Sequence, residues 1–79
     1  IHQTLQSAVQ LKDGKTPSEI INWVTDRFKS EPSFTLEHFE IADDTFLQPL
    51  EKWEKNTGAI GFVAAFLGDV RLIDNIRFY

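Results

Sequence analysis

The stretch Ala59-Ile60-Gly61-Phe62-Val63-Ala64-Ala65-Phe66-Leu67-Gly68-Asp69-Val70-Arg71-Leu72-Ile73-Asp74-Asn75-Ile76 decides the fold. Two apolar runs flank Gly68-Asp69, and glycine at the first position of a two-residue loop suits a type II′ hairpin turn. In that register Leu67 faces Val70, Ala65 faces Leu72 and Val63 faces Asp74 on one side. Phe66 with Arg71, Ala64 with Ile73 and Phe62 with Asn75 take the other side. The first strand is apolar on both faces, which predicts a central strand covered on both. The second strand turns polar at Asp74, Asn75 and Arg77.

Upstream, Phe34 to Ala42 reads as a third strand. Phe39 and Ile41 point inward, His38, Glu40 and Ala42 outward, and Glu37 breaks the alternation near the frayed start. Asp43-Asp44-Thr45 interrupts it, and Phe46 to Leu50 follows as a turn or short helical piece. Glu51 to Gly58 is a polar connection, with Trp53 at the edge of the core and Asn56 to Gly58 turning the chain into the hairpin. The long connection leaves the strand order open.

The first thirty residues read as two helices. Ile1, Leu5, Ala8 and Val9 recur at helical spacing among glutamines, giving about three turns that end at Lys12. Gly14 is the expected left-handed residue after them. Thr16-Pro17-Ser18-Glu19 then carries a capping box, with proline in the first turn. Ile20, Trp23, Val24 and Phe28 form the apolar stripe, with Ile21 at its edge. The helix stops near Ser30, because Pro32 restricts Glu31 to extended conformations. The order α-α-β-loop-β-β predicts an α+β fold over residues 1–79. Two helices pack on one face of a small three-stranded antiparallel sheet, as a two-layer sandwich.

Composition limits the function. Seventy-nine residues, 42% of them hydrophobic, make one small domain with one core. A formal charge of −4 disfavours nucleic-acid binding, which needs a basic surface. Acid is concentrated from Glu31 to Glu54, where Lys52 is the one lysine or arginine; a solvated face is the expected reading. No apolar run approaches the roughly 20 residues of a membrane span, and no signal-peptide pattern is visible. The absence of cysteine excludes disulfides and thiolate metal sites and fits a reducing cytoplasm. The chain opens at Ile1, inside an apparent helix, and contains no methionine. The expectation is an excised domain of a larger protein; a complete product whose initiator was removed is the alternative.

No constellation of residues carries catalysis. His2 and His38 are far apart in sequence and neither has a second histidine at helical spacing. Asp43-Asp44 is the one adjacent carboxylate pair that could hold Mg²⁺, but aspartate after a strand also suits a turn, where its side chain bonds nearby N–H groups. Arg71 and Asp74 fall on opposite faces of the hairpin, and Asp74 or Asn75 is expected to tie down the loop that follows. The aromatic residues fit a core better than a base-stacking platform. Phosphate-binding glycine motifs and a nucleophile elbow are absent. No catalytic, cofactor-binding or metal-ligating residue is assigned.

Val63-Ala64-Ala65-Phe66-Leu67-Gly68-Asp69-Val70-Arg71-Leu72-Ile73-Asp74-Asn75 resembles the C-terminal run V-A-A-x-L-G-x-x-R-L-I-D-N of the pantothenate synthetase (pantoate–β-alanine ligase) family. Glu40-Ile41-Ala42-Asp43 is similar to that family's E-I-x-D strand end, whereas Thr45 to Pro49 departs from the following turn by one inserted position. The resemblance implies the C-terminal lid domain of a two-domain enzyme. The parent enzyme joins pantoate and β-alanine through a pantoyl adenylate, using ATP and Mg²⁺. Its expected partners are its own N-terminal Rossmann-like domain and a second copy in a homodimer. The family's nucleotide motifs, H-x-G-H and M-S-S-R-N, are missing here, so the resemblance implies an inactive fragment. The alternative is a stand-alone interaction module that adds a peptide strand to a sheet edge.

Overall fold

The hairpin forms in the register that the turn dictates. A computed structural model describes all residues, Ile1 to Tyr79. Strands β2 (Ala59–Leu67) and β3 (Val70–Arg77) pair antiparallel, with Leu67 opposite Val70 and Phe62 opposite Asn75. Gly68 takes φ +60° while Asp69 stays out of the left-handed region, as a type II′ turn requires. Strand β1 (Phe34–Asp43) pairs with β2 on its other side, so the order is β1-β2-β3 and the most apolar strand is central.

Strand β1 reaches its faces through a bulge. Leu36 stands opposite Ala65, but His38 already stands opposite Ala64, so Glu37 is the extra residue. The bulge reverses the parity and lets Phe34, Leu36, Phe39 and Ile41 all point to one side. That is why Glu37 breaks the alternation in the sequence. Ala42 stands on the outward side, yet it is buried. The chain returns along the outer edge of β1 and covers it: Pro49 bridges Ala42, Leu50 N–H donates to the Ile41 carbonyl at 2.9 Å, and Asp43 N–H donates to the Gln48 carbonyl at 3.0 Å.

Helices α1 (His2–Gln10) and α2 (Pro17–Lys29) lie side by side on one face of the sheet, α2 against β1 and α1 against β3. The capping box closes as expected. Glu19 N–H donates to Thr16 Oγ1 at 3.2 Å, and Thr16 N–H donates to Glu19 Oε1 at 2.8 Å. The expected left-handed Gly14 does not occur, since Gly68 is the one glycine with positive φ. Tight bonds from Leu11, Lys12 and Gly14 N–H groups to carbonyls three residues back end α1 instead, and they need no left-handed residue.

The core lies between the layers. Leu5 and Ala8 meet Ile20, Val24 and Phe28, and these rest on Phe39, Ile41, Ala59, Val63, Ala65 and Phe78. The other face of the sheet corrects the expectation that β2 is covered on both sides. Both helices are used on one face, and Ile60, Phe62 and Phe66 remain half-buried on the side that has no second layer.

Candidate functional site

The titratable side chains do not converge. His2 begins α1 and is exposed; His38 is an exposed residue of β1, with Nδ1 3.8 Å from the Glu37 carboxylate. No three His, Asp or Glu side chains gather as a metal site.

The Asp43-Asp44 pair is divided by its local bonds. Asp43 Oδ1 accepts from the N–H groups of Thr45 at 3.0 Å and Phe46 at 2.6 Å, and its Oδ2 accepts from Gln48 N–H at 2.9 Å. The N–H of Phe46, then that of Gln48, hold this carboxyl below its ordinary pKa, because they stabilise the ionised form. Asp44 turns away and meets Arg77 Nη1 at 2.9 Å. These carboxylates are therefore committed to a turn and an ion pair, and the donor set does not fit Mg²⁺ or the phosphates of a nucleotide.

Arg71 and Asp74 point to opposite faces, as the register requires. Arg71 donates from Nε at 3.0 Å and Nη2 at 2.6 Å to Glu37 Oε2. Asp74 does not tie down the loop after the strand; its Oδ1 accepts from the neighbouring Asn75 N–H at 2.8 Å. Among the aromatics, Phe28, Phe39 and Phe78 are in the core, whereas Phe46 is exposed. Trp53 packs on Phe78 and Tyr79 and donates from Nε1 to the Lys15 carbonyl at 2.8 Å.

What sequence reasoning missed is the face that these residues frame. The outward positions of β2 are Ile60, Phe62, Ala64 and Phe66, and Ile73 of β3 stands beside Ala64. Two arginine–carboxylate pairs bridge from β3 to the β1 side: Arg71 to Glu37 near one end, Arg77 to Asp44 near the other. Between them lies a shallow hollow of ≈ 330 Å³ lined by the apolar Ala42, Leu47, Phe62, Ala64 and Ile73 and by the polar His38, Glu40 and Arg71. The signal was present in the uninterrupted apolar run of β2, which has nothing polar to offer water on either side. No helix is long and apolar enough to cross a membrane.

A family model described as pantoate-β-alanine ligase matches residues 1–77. The pantothenate synthetase of Porphyromonas gingivalis is 35% identical over 78 residues, which make up 99% of this chain and 28% of that protein. That of Bacteroides fragilis is 38% identical over the same shares. The crystal structure of the pantothenate synthetase of Thermus thermophilus superposes with a TM-score of 0.82 at 25% identity, again over 99% of this chain and 28% of the other. The chain spans little more than a quarter of the length of these relatives.

Proposed function

Because the chain belongs to the pantoate–β-alanine ligase family, we propose that residues 1–79 are the small C-terminal domain of such a ligase and close over its active site. The observation that carries this reading is the near-complete match of the chain to just over a quarter of proteins named pantothenate synthetase. The parent reaction has two steps. A pantoate carboxylate oxygen bonds to the α-phosphorus of ATP and pyrophosphate leaves. The amine of β-alanine then bonds to the acyl carbon, AMP leaves, and the nitrogen loses a proton to give the amide.

Water competes with the amine for an acyl adenylate, so a domain that covers the intermediate raises the yield of amide. Such a cover has to move as a unit. The paired hairpin and the helices packed on its inner face fit that role. We place ATP and Mg²⁺ on parts of the polypeptide outside these residues; the one adjacent carboxylate pair here, Asp43-Asp44, supports this, because backbone N–H groups occupy Asp43 and Arg77 occupies Asp44. The larger domain is also the place for the contacts of a homodimer, and the cytoplasm is the compartment of the reaction.

The test compares the complete polypeptide with residues 1–79 alone in pantoate, β-alanine, ATP and Mg²⁺. The complete polypeptide forms pantothenate and AMP in equal amounts, and the 79-residue chain forms neither. Turnover by the 79-residue chain overturns the assignment of chemistry to the missing part. Inactivity of the complete, folded polypeptide overturns the ligase reading.

A further inference from the structure

We propose that the open face of the sheet is the surface on which this domain seats against the remainder of its own polypeptide. The contact is made by Phe62, Ile73 and the Phe46-Leu47 turn. This inference rests on the reading of the chain as one domain of a longer ligase.

Three observations converge on this face. The first is its composition. An antiparallel sheet that faces water alternates apolar and polar residues along each strand. The outward positions of β2 are Ile60, Phe62, Ala64 and Phe66, with no polar side chain among them. The outer surface of the helical layer is different: Gln3, Gln6, Ser7 and Gln10 of α1 and Asn22 and Asp26 of α2 are exposed. On the open side the polar residues stand on the flanks, Thr35, His38 and Glu40 of β1 and Arg71, Asn75 and Arg77 of β3, around an apolar centre that lacks a covering layer.

The second is a turn held in an uncommon conformation. Leu47 has φ +57°, in the left-handed region that disfavours a residue with a Cβ. The three N–H groups bonded to Asp43 hold the turn in this shape. It leaves Phe46 79% and Leu47 59% exposed, with Leu47 at the hollow on the open face. Local strain that exposes two large apolar side chains gains nothing inside this domain. It makes sense where a second surface covers them.

The third is charge. Arg71 and Arg77, which stand on this face, are each paired with a carboxylate. A partner therefore meets no unpaired arginine along β3, where burial carries a smaller desolvation penalty, and finds Glu40 of β1, which has no ion-pair partner, exposed at the edge of the same face.

The size of the face selects its occupant. Three strands about 4.8 Å apart and about 3.3 Å per residue over eight residues give about 400 Å² per side. Two free copies meeting face to face therefore bury about 800 Å² in total, half the roughly 1,600 Å² of a standard stable complex. The same area lies within the range of about 600–1,500 Å² typical between domains of one chain. A tether supplies an effective concentration of order millimolar, which a free second copy lacks. The relatives supply the polypeptide: this chain matches 28% of their length, leaving the greater part to form the opposing surface.

Hydroxyl-radical footprinting of the complete polypeptide, read by mass spectrometry, tests the proposal. Val70, 59% exposed beyond the end of the helix-facing side, is the internal reference for Leu47, also 59% exposed, and Ile73, 69% exposed. The expected result is several-fold slower labelling of Leu47 and Ile73 than their exposure here dictates, relative to Val70, unchanged on tenfold dilution. Ile73→Lys, at a side chain that is mostly in solvent here, keeps the domain folded and accelerates labelling of Phe46 and Leu47. Labelling in proportion to exposure overturns the proposal. Protection that disappears on dilution also overturns it, because the cover is then a second copy. Pantothenate formation measured on the same sample separates the two readings. An inactive polypeptide with a protected face loses the ligase and keeps the interface, and an active one with a labelled face does the reverse.

Discussion

The ring of Phe78 lies where a side chain on Gly61 would be. A methyl group at Gly61 would stand 2.7 Å from Phe78 Cε2 and 3.1 Å from Phe39 Cζ, and Phe78 is only 1% exposed. The absence of a side chain near the start of β2 thus leaves room for the last core ring on the helix-facing side of the sheet, where it closes the hydrophobic layer. Phe78 N–H donates to the Ala59 carbonyl at 2.7 Å, and the Phe78 carbonyl accepts from Lys12 Nζ at 2.6 Å, so the ring is fixed from both sides. Gly61→Ala forces this ring or Phe39 to shift and is expected to cost about 1–3 kcal/mol by overpacking. Phe78→Ala leaves a cavity and costs about 3–5 kcal/mol. Urea unfolding of the 79-residue chain measures both. An unchanged midpoint for Gly61→Ala would show that the ring relaxes freely.

The second prediction concerns the start of α2. Thr16→Ala removes the acceptor for Glu19 N–H and is expected to cost about 1 kcal/mol, the usual loss for a threonine cap. Hydrogen bonds from the Thr16 backbone and hydroxyl lower the pKa of Glu19, with Lys15 adding a smaller effect. Since the folded pKa is depressed, the stabilisation from this carboxylate is present above the ordinary glutamate range and declines as pH falls through the folded value. Thr16→Ala therefore moves the Glu19 titration, followed by NMR, upward. A titration that stays where it was in the parent contradicts the capping account.

Much of the inner layer is legible because its rules are local. The Gly68-Asp69 turn fixes which residues of β2 and β3 share a face, and Thr16-Pro17-Ser18-Glu19 fixes where α2 begins. What escapes the sequence depends on distant partners. Glu37 looks like an error in alternation until Leu36 and His38 are placed opposite Ala65 and Ala64 as a bulge. Phe78, next to the end of the chain, gives no periodic signal and enters the core only because Gly61 makes room. The open face is the clearest case. An apolar residue on either side of β2 reads as covered, and only the placement of both helices shows which side is not.

That distinction gives the third prediction. Val63 is 1% exposed beneath the helices, whereas Phe66 is half-buried on the open face opposite Arg71. Val63→Asp buries a carboxylate with no partner and costs several kcal/mol, enough to unfold a small domain whose stability is near the low end of about 5–15 kcal/mol. Phe66→Asp loses apolar contact but leaves its carboxylate near water and beside Arg71, and is expected to cost about 1–3 kcal/mol. Far-ultraviolet circular dichroism of the two 79-residue variants distinguishes them. Equal loss of structure means that the outer face is as covered as the inner one.

The last prediction concerns Asp43, whose carboxylate shapes the Phe46-Leu47 turn. Its pKa is lowered, first by the N–H of Phe46 and then by that of Gln48, so the folded state holds the ionised form more firmly than the unfolded state does. The resulting stabilisation is fully present above the ordinary aspartate value of about 3.9 and is lost as pH falls from there through the lower folded pKa. Protonation weakens acceptance from three N–H groups and leaves the turn, with Leu47 at φ +57°, to two backbone bonds, Leu47 N–H to the Asp43 carbonyl at 3.1 Å and Asp43 N–H to the Gln48 carbonyl at 3.0 Å. Amide exchange of Phe46 and Gln48 should therefore accelerate, relative to the core amide of Val63, in that acid range and not above it. Asp43→Asn retains one carbonyl acceptor but loses the charge, so it should show the faster exchange already at neutral pH and no transition in acid. A parent chain in which the three amides keep a constant ratio down through that range would mean that Asp43 does not hold the turn.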